Sequence, residues 1–234
     1  MVSRGRGDAD DGEVGLDGEL RLYSYWRSSA AYRVRIGLNL KGLSYETVPV
    51  HLLRDGGEQL KPGYAQANPQ KLVPVLEHGQ RTYRQSLAIL EYIDEVWPAP
   101  PLLPSLARDR ARIRALAQLV ACDVHPLNNL RVLRYFEQEW HVPQPERDSW
   151  VRHWIEQGFA AFEAMLQDNP ATGSFCDGHS PTLADCCLVP QVYNARRFGV
   201  DLAPYPTIVA IDRACMALPE FQAAAPDRQP DAVR

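Results

Sequence analysis

The sequence predicts an α/β unit followed by an all-helical one. Three observations carry this reading. Between residues 20 and 93 the elements alternate as β-α-β-α-β-β-α, the order of an α/β fold. Pro98, Pro100, Pro101 and Pro104 then make a stiff boundary. Beyond them, residues 108–135, 147–166, 182–198 and 207–218 carry helical periodicity, and no convincing strand appears. The expected division is a leader over 1–18, an α/β unit over 19–103 and a helical unit over 104–234.

Each element has a local cause. Residues 1–18 are rich in Gly, Asp and Arg with almost no large apolar side chain, and read as a disordered leader. Leu20, Leu22, Tyr23 and Tyr25 suit a half-buried strand. After Ser28-Ser29 the period changes. Ala31, Val34 and Leu38 recur at helical spacing, and Gly42 ends the helix as a residue free to turn left-handed. Either serine can cap this helix. A helix start also offers open N–H groups and partial positive charge, which suit an anion or a thiolate. Cap and binding site are both open readings of Ser28.

Residues 45–52 are β-rich, but Pro49 places them on a sheet edge. Arg54-Asp55-Gly56-Gly57 is a turn, residues 59–67 a short irregular or helical connection, and Asn68-Pro69 a breaker. Val73-Pro74-Val75-Leu76-Glu77 reads as a strand, His78-Gly79-Gln80 as a tight turn, and residues 81–84 as the returning arm of a hairpin. A helix follows over 87–93 with Ser86 as its cap. In the second half, Pro126 and Pro190 fall inside helical patterns, and each should bend its helix. Thr182-Leu183-Ala184-Asp185 is a capping-box variant, a folding feature.

Composition narrows the function classes. A chain of 234 residues can bury a sizeable core. A net charge of −4 gives no basic field for nucleic acid or an anionic membrane. No apolar run is long enough to span a bilayer, and the N-terminus lacks the apolar core of a secretory signal. Cys122, Cys176, Cys186, Cys187 and Cys215 are irregularly spaced without a CxxC pair, so neither a zinc site nor a disulfide framework is indicated. Reduced thiols in the cytoplasm are the simplest account.

Several motifs share one resemblance. Ser28-Ser29-Ala30-Ala31-Tyr32-Arg33-Val34-Arg35-Ile36, Asn68-Pro69-Gln70-Lys71-Leu72-Val73-Pro74-Val75-Leu76 and Gln85-Ser86-Leu87-Ala88-Ile89 resemble the glutathione-binding segments of cytosolic glutathione transferases. Leu188-Val189-Pro190-Gln191-Val192 and Asp201-Leu202-Ala203-Pro204-Tyr205-Pro206 extend the match into the second half. The first motif is similar to the zeta-class signature, the family of maleylacetoacetate isomerases. Cys122-Asp123-Val124-His125-Pro126-Leu127-Asn128-Asn129-Leu130-Arg131 looks like the bacterial type, close to glutathione-dependent maleylpyruvate isomerases. The resemblance implies a thioredoxin-like α/β half, an all-α half, a homodimer and glutathione as cofactor. One departure matters: the signature cysteine is Ala30 here, so the reactive sulfur must come from glutathione.

The implied reaction is cis–trans isomerisation of a small keto-diacid through reversible thiolate addition to its double bond. It needs an ionised sulfur, donors for a developing oxyanion and cations for carboxylates. The resemblance places Ser28, Ser29 and Ala30 at the sulfur and Val73 and a cis Pro74 on the cysteinyl main chain. It places Gln85 and Ser86 on the γ-glutamyl carboxylate, Gln59 at the glycyl end and Asn129 as a further contact. Arg27, His125, Arg131 and Arg197 are the substrate candidates, with Ser28, Ser29, Arg27 and His125 as the catalytic set. Arg131 follows His125 by nearly two helical turns, so both would face one groove. Arg196 competes with Arg197 for its role. A transferase or dehalogenase on α-halo acids, and a binding module of the same fold, are the competing functions.

Overall fold

The computed structural model describes residues 18–232, so the expected leader lies outside the described residues except for Gly18. β1 (Leu20–Ser24) sits inside a four-stranded sheet of order β2-β1-β3-β4. It pairs parallel with β2 (Glu46–Pro49) and antiparallel with β3 (Val75–His78), which returns as β4 (Arg81–Arg84). Leu22 lies between Thr47 and Leu76 in this register. β2 is an edge strand, as Pro49 demanded. β3 starts at Val75 rather than Val73 because Pro74 has no N–H for the ladder.

α1 (Ser29–Leu40) crosses from β1 to β2 and ends where Gly42 takes a φ of +65°. α3 (Ser86–Val96) packs against it closely: a Cβ at Gly37 would lie 2.2 Å from Leu90 Cδ2. α2 (Pro62–Ala67) contributes Tyr64 to a small cluster with Tyr25, Val50, Val73 and Val75. Ser86 is the first helical residue of α3, not its cap. Gln85 takes the cap position with a φ of +70°, a conformation no hydrophobic pattern reveals.

Six helices follow: α4 (Ala107–Gln118), α5 (Leu130–Gln138), α6 (Gln144–Gln167), α7 (Leu183–Arg197), α8 (Pro206–Met216) and α9 (Pro219–Ala224). No strand appears in this half among the described residues. α7 is buried along most of its length, continues through Pro190, and packs on α1, α4 and α8. Ile36, Leu38 and Leu90 from the first half share one core with Leu116, Phe159, Phe162, Leu188 and Val192 from the second. The capping box forms: Thr182 donates through N–H and hydroxyl to Asp185 Oδ2 at 2.7 Å each. No helix among the described residues is long and apolar enough to cross a membrane.

The expected single bent helix over 108–135 is overturned. α4 stops at Gln118, Leu119–Val124 form a wide π turn, and His125–Asn128 a tight 3-10 turn. Asn129 is then extended (ψ 143°) before α5 begins. The irregular segment surrounds Pro126, which lacks an N–H and whose ring crowds the carbonyl four residues earlier; α7 absorbs the same defect at Pro190 without breaking.

Candidate active site

The start of α1 is built by a tight turn after β1. The Ser28 N–H donates to the Tyr25 carbonyl at 2.9 Å. Ser28 Oγ accepts the Ala31 N–H at 3.2 Å, so the serine is the cap. The N–H groups of Ser29 and Ala30 are the open donors of this first turn. The loop is held from behind. Arg35 Nη2 donates to the Trp26 carbonyl at 3.0 Å, and the Trp26 N–H donates to Asp231 Oδ2 at 2.9 Å. Ser28, Ser29 and Ala30 face a cavity of about 570 Å³ between the two halves.

The second wall is the loop before β3. Tyr64 Oη and Asn68 Nδ2 both donate to the Leu72 carbonyl, at 2.7 and 2.8 Å. They fix the approach to the Val73–Pro74 peptide, which is cis as expected. Val73 lies outside the ladder, which leaves its main-chain groups free of β1. Gln85 Nε2 donates to Gln70 Oε1 at 2.7 Å. Gln59 is buried with Oε1 lacking a partner.

The third wall is the π and 3-10 segment with the end of α7. His125 and Arg131 do not share a helix, since Asn129 breaks the chain between them, yet both line the cavity. Asn129 Oδ1 accepts the Arg131 N–H at 3.1 Å and caps α5. His125, expected among the substrate ligands, is uncharged at neutral pH and so is not one of the cations there. Burial, then the charges of Arg33 and Arg131, push its imidazole down to about 3. Its buried Nδ1 has no hydrogen-bond partner.

The two adjacent arginines differ. Arg196 Nη2 pairs with Asp212 Oδ2 at 2.6 Å, whereas Arg197 lines the cavity with its guanidinium 4.4 Å from the Phe198 ring centroid. Burial and the like charge of Arg27 lower the Arg197 pKa, so the two guanidinium groups lie within electrostatic reach. Arg27 itself sits 5.3 Å over the Trp26 ring.

Every residue expected at the site lines this one cavity: Arg27, Ser28, Ser29, Ala30, Gln59, Val73, Pro74, Gln85, Ser86, His125, Asn129, Arg131 and Arg197. Sequence reasoning missed Arg33, Asn128, Arg134 and Asn194, which line it too. Asn128 is buried with both side-chain polar atoms unpartnered. Among the described lining residues, five arginines and Lys71 face one carboxylate, Glu139. A chain of net charge −4 thus concentrates positive charge in its cleft, which suits a multiply charged anion.

A mixed four-stranded sheet, a helical bundle and a cleft at the start of the first helix make the glutathione transferase architecture. Residues 22–101 match the family model described as the glutathione S-transferase N-terminal domain. A probable maleylacetoacetate isomerase of Vibrio cholerae is 50% identical over 213 residues, 91% of this chain and 98% of that one. A holo structure of maleyl pyruvate isomerase, a bacterial glutathione S-transferase of the zeta class, superposes with a TM-score of 0.89 at 48% identity. That match covers 91% of this chain and 100% of the other. A maleylacetoacetate isomerase of Anaeromyxobacter dehalogenans is 50% identical, with a TM-score of 0.82 over 94% and 96% of the two chains. It was solved with dicarboxyethyl glutathione and citrate in its active site. The chain belongs to the zeta-class glutathione transferases, in the family of maleylacetoacetate isomerases.

Proposed function

We propose that the chain is a glutathione-dependent cis–trans isomerase that converts maleylacetoacetate to fumarylacetoacetate. One observation carries the reading. The open start of α1, the arginines Arg27 and Arg197, and the neutral His125 all converge on one cavity.

The residues present fit glutathione. The free main chain of Val73, the orphaned Gln59 Oε1 and the open N–H groups of Ser29 and Ala30 are polar groups suited to a peptide. Ser28, Ser29 and Ala30 would surround the sulfur, and Val73 and Pro74 the cysteinyl main chain. Gln85 and Ser86 would take the γ-glutamyl carboxylate, Gln59 the glycyl end, and Asn129 a further contact. When bound, the tripeptide supplies a thiolate that adds reversibly to the substrate's double bond and leaves a single bond free to turn.

The chain's own groups do the rest. The Ser28 hydroxyl still has its proton to donate, because its oxygen accepts from Ala31. With the Ser29 and Ala30 N–H groups it favours an ionised sulfur. Arg27 and Arg197 would hold substrate carboxylates through their planar forks, with Arg131 at the exposed rim. A neutral His125 offers a hydrogen bond to a keto oxygen without adding charge of its own.

Maleylpyruvate is the second substrate reading, favoured by the 48% identity and TM-score of 0.89 to a maleyl pyruvate isomerase. The same cavity would admit small α-halo acids for dehalogenation, whereas the set of Ser28, Val73, Pro74, Gln85 and Ser86 argues against a binding module that does not take up glutathione. A homodimer, a cytoplasmic location and the division at residues 103 and 104 belong to the same reading. Incubating the protein with each maleyl acid, with and without glutathione, tests it. Glutathione-dependent loss of the maleyl absorbance is expected, and no loss with either acid ends the reading.

A further inference from the structure

Two buried arginines on α1 have opposite fates. Arg35 uses every guanidinium nitrogen: Nε donates to the Ala224 carbonyl at 2.9 Å, Nη1 to Ser24 Oγ at 3.0 Å and Nη2 to the Trp26 carbonyl at 3.0 Å. Arg33 does not. It is 2% exposed, its Nε and Nη2 have no partner, and among the described residues it forms no ion pair. A buried cation without a counter-ion is expensive, and so is each unused donor. Arg33 lines the cavity, so an anion there would relieve both costs.

The one hydrogen bond Arg33 makes among the described residues says where. Its Nη1 donates to Ser86 Oγ at 3.2 Å. An accepting hydroxyl must send its own proton elsewhere. Ser86 is the first residue of an eleven-residue helix, lines the same cavity, and stands among the open N–H groups of that helix start.

We propose that Arg33 is a positioning residue for an anion held at the start of α3: it fixes the Ser86 hydroxyl as a donor and supplies the cation beneath. In the tripeptide reading above, on which this rests, the anion is the α-carboxylate of the γ-glutamyl arm. The sequence hid Arg33, because helical spacing does not tell a buried guanidinium from a solvated one.

Calorimetric binding of two probes to the full chain tests the assignment. One is glutathione; the other is 4-aminobutyryl-cysteinylglycine, which lacks only that carboxylate. Arg33→Met should weaken glutathione binding about 30-fold, the loss of a charge-assisted contact, and leave the second probe within about two-fold. Arg33→Lys keeps a cation for the fold but loses the planar fork, and should weaken glutathione selectively by about five-fold. Adding Ser86→Ala to Arg33→Lys should change little more, because both act on one contact. Equal weakening of both probes, or unchanged glutathione binding by Arg33→Lys, overturns the proposal alone. Wild-type protein that binds neither probe overturns the glutathione reading, and this proposal with it.

Discussion

Arg196 donates to the Asp212 carboxylate at 2.6 Å, while Arg197, the next residue along α7, lines the cavity. Two adjacent and chemically identical side chains therefore do different work. Arg197→Met should lower kcat/KM for the maleyl acid about 100-fold, mostly through KM, because a bidentate carboxylate contact is lost. Arg196→Met should leave kcat/KM within about two-fold. It should cost about 1–3 kcal/mol of stability instead, since the nearly buried Asp212 is left without its donor. Steady-state kinetics and thermal melts of both variants check this, and a reversed pattern would exchange the two roles.

His125 makes a prediction about pH. An imidazole ordinarily titrates near ~6.5; here burial, Arg33 and Arg131 push it down to about 3. Between those values the unfolded chain binds a proton that the folded chain refuses. The His125 contribution to stability is therefore whole above pH ~6.5 and declines as pH falls toward ~3, by up to ~1.4 kcal/mol per unit. Urea unfolding of wild type and His125→Gln at pH 7, 6 and 5 should show the gap between them shifting against the wild type as the solution is acidified. A constant gap, or a ring resonance of His125 titrating near neutrality, would contradict the placement.

The legible parts of the sequence were those with a local signature. Ser28 before an apolar repeat gave the start of α1, Gly42 its end and Pro49 the sheet edge, and each needs only neighbouring residues to act. The segment from Leu119 to Asn129 was not legible, because apolar spacing persists through it while Pro126 denies the ladder a donor. Ser86 was misplaced by one position, since nothing in the sequence marks Gln85 for a positive φ. Arg33 and Asn128 owe their roles to what packs around them from distant parts of the chain.

Asn129 has two groups with separable tasks. Its Oδ1 accepts the Arg131 N–H and caps α5, which leaves the Nδ2 amide for a ligand. Asn129→Asp keeps an acceptor for the cap but removes the donor. It should melt within about a degree or two of wild type, yet bind glutathione about ten-fold more weakly. Asn129→Ala loses both, and should also unfold about 1 kcal/mol more easily. Glutathione binding by Asn129→Asp that matches wild type would remove this residue from the cofactor's contacts and leave it a cap.

The sharpest test falls on Ser28, because its oxygen already has an occupation. Capping Ala31 consumes an acceptor position and not the hydroxyl proton, so a cap and a sulfur-directed donor can coexist in one side chain. Ser28→Ala removes both. Loss of the cap should cost about 1 kcal/mol of stability. Loss of the donor should lower kcat at neutral pH about ten-fold, because a smaller fraction of the bound sulfur is ionised. It should also raise the pKa of the bound thiol, which is read directly from thiolate absorbance in the ultraviolet. Ser28→Thr retains a hydroxyl and should recover most of both losses. If Ser28→Ala lost only the stability and kept its thiolate signal and kcat, the serine would be a helix cap alone, and the Ser29 and Ala30 N–H groups would have to hold the ionised sulfur by themselves.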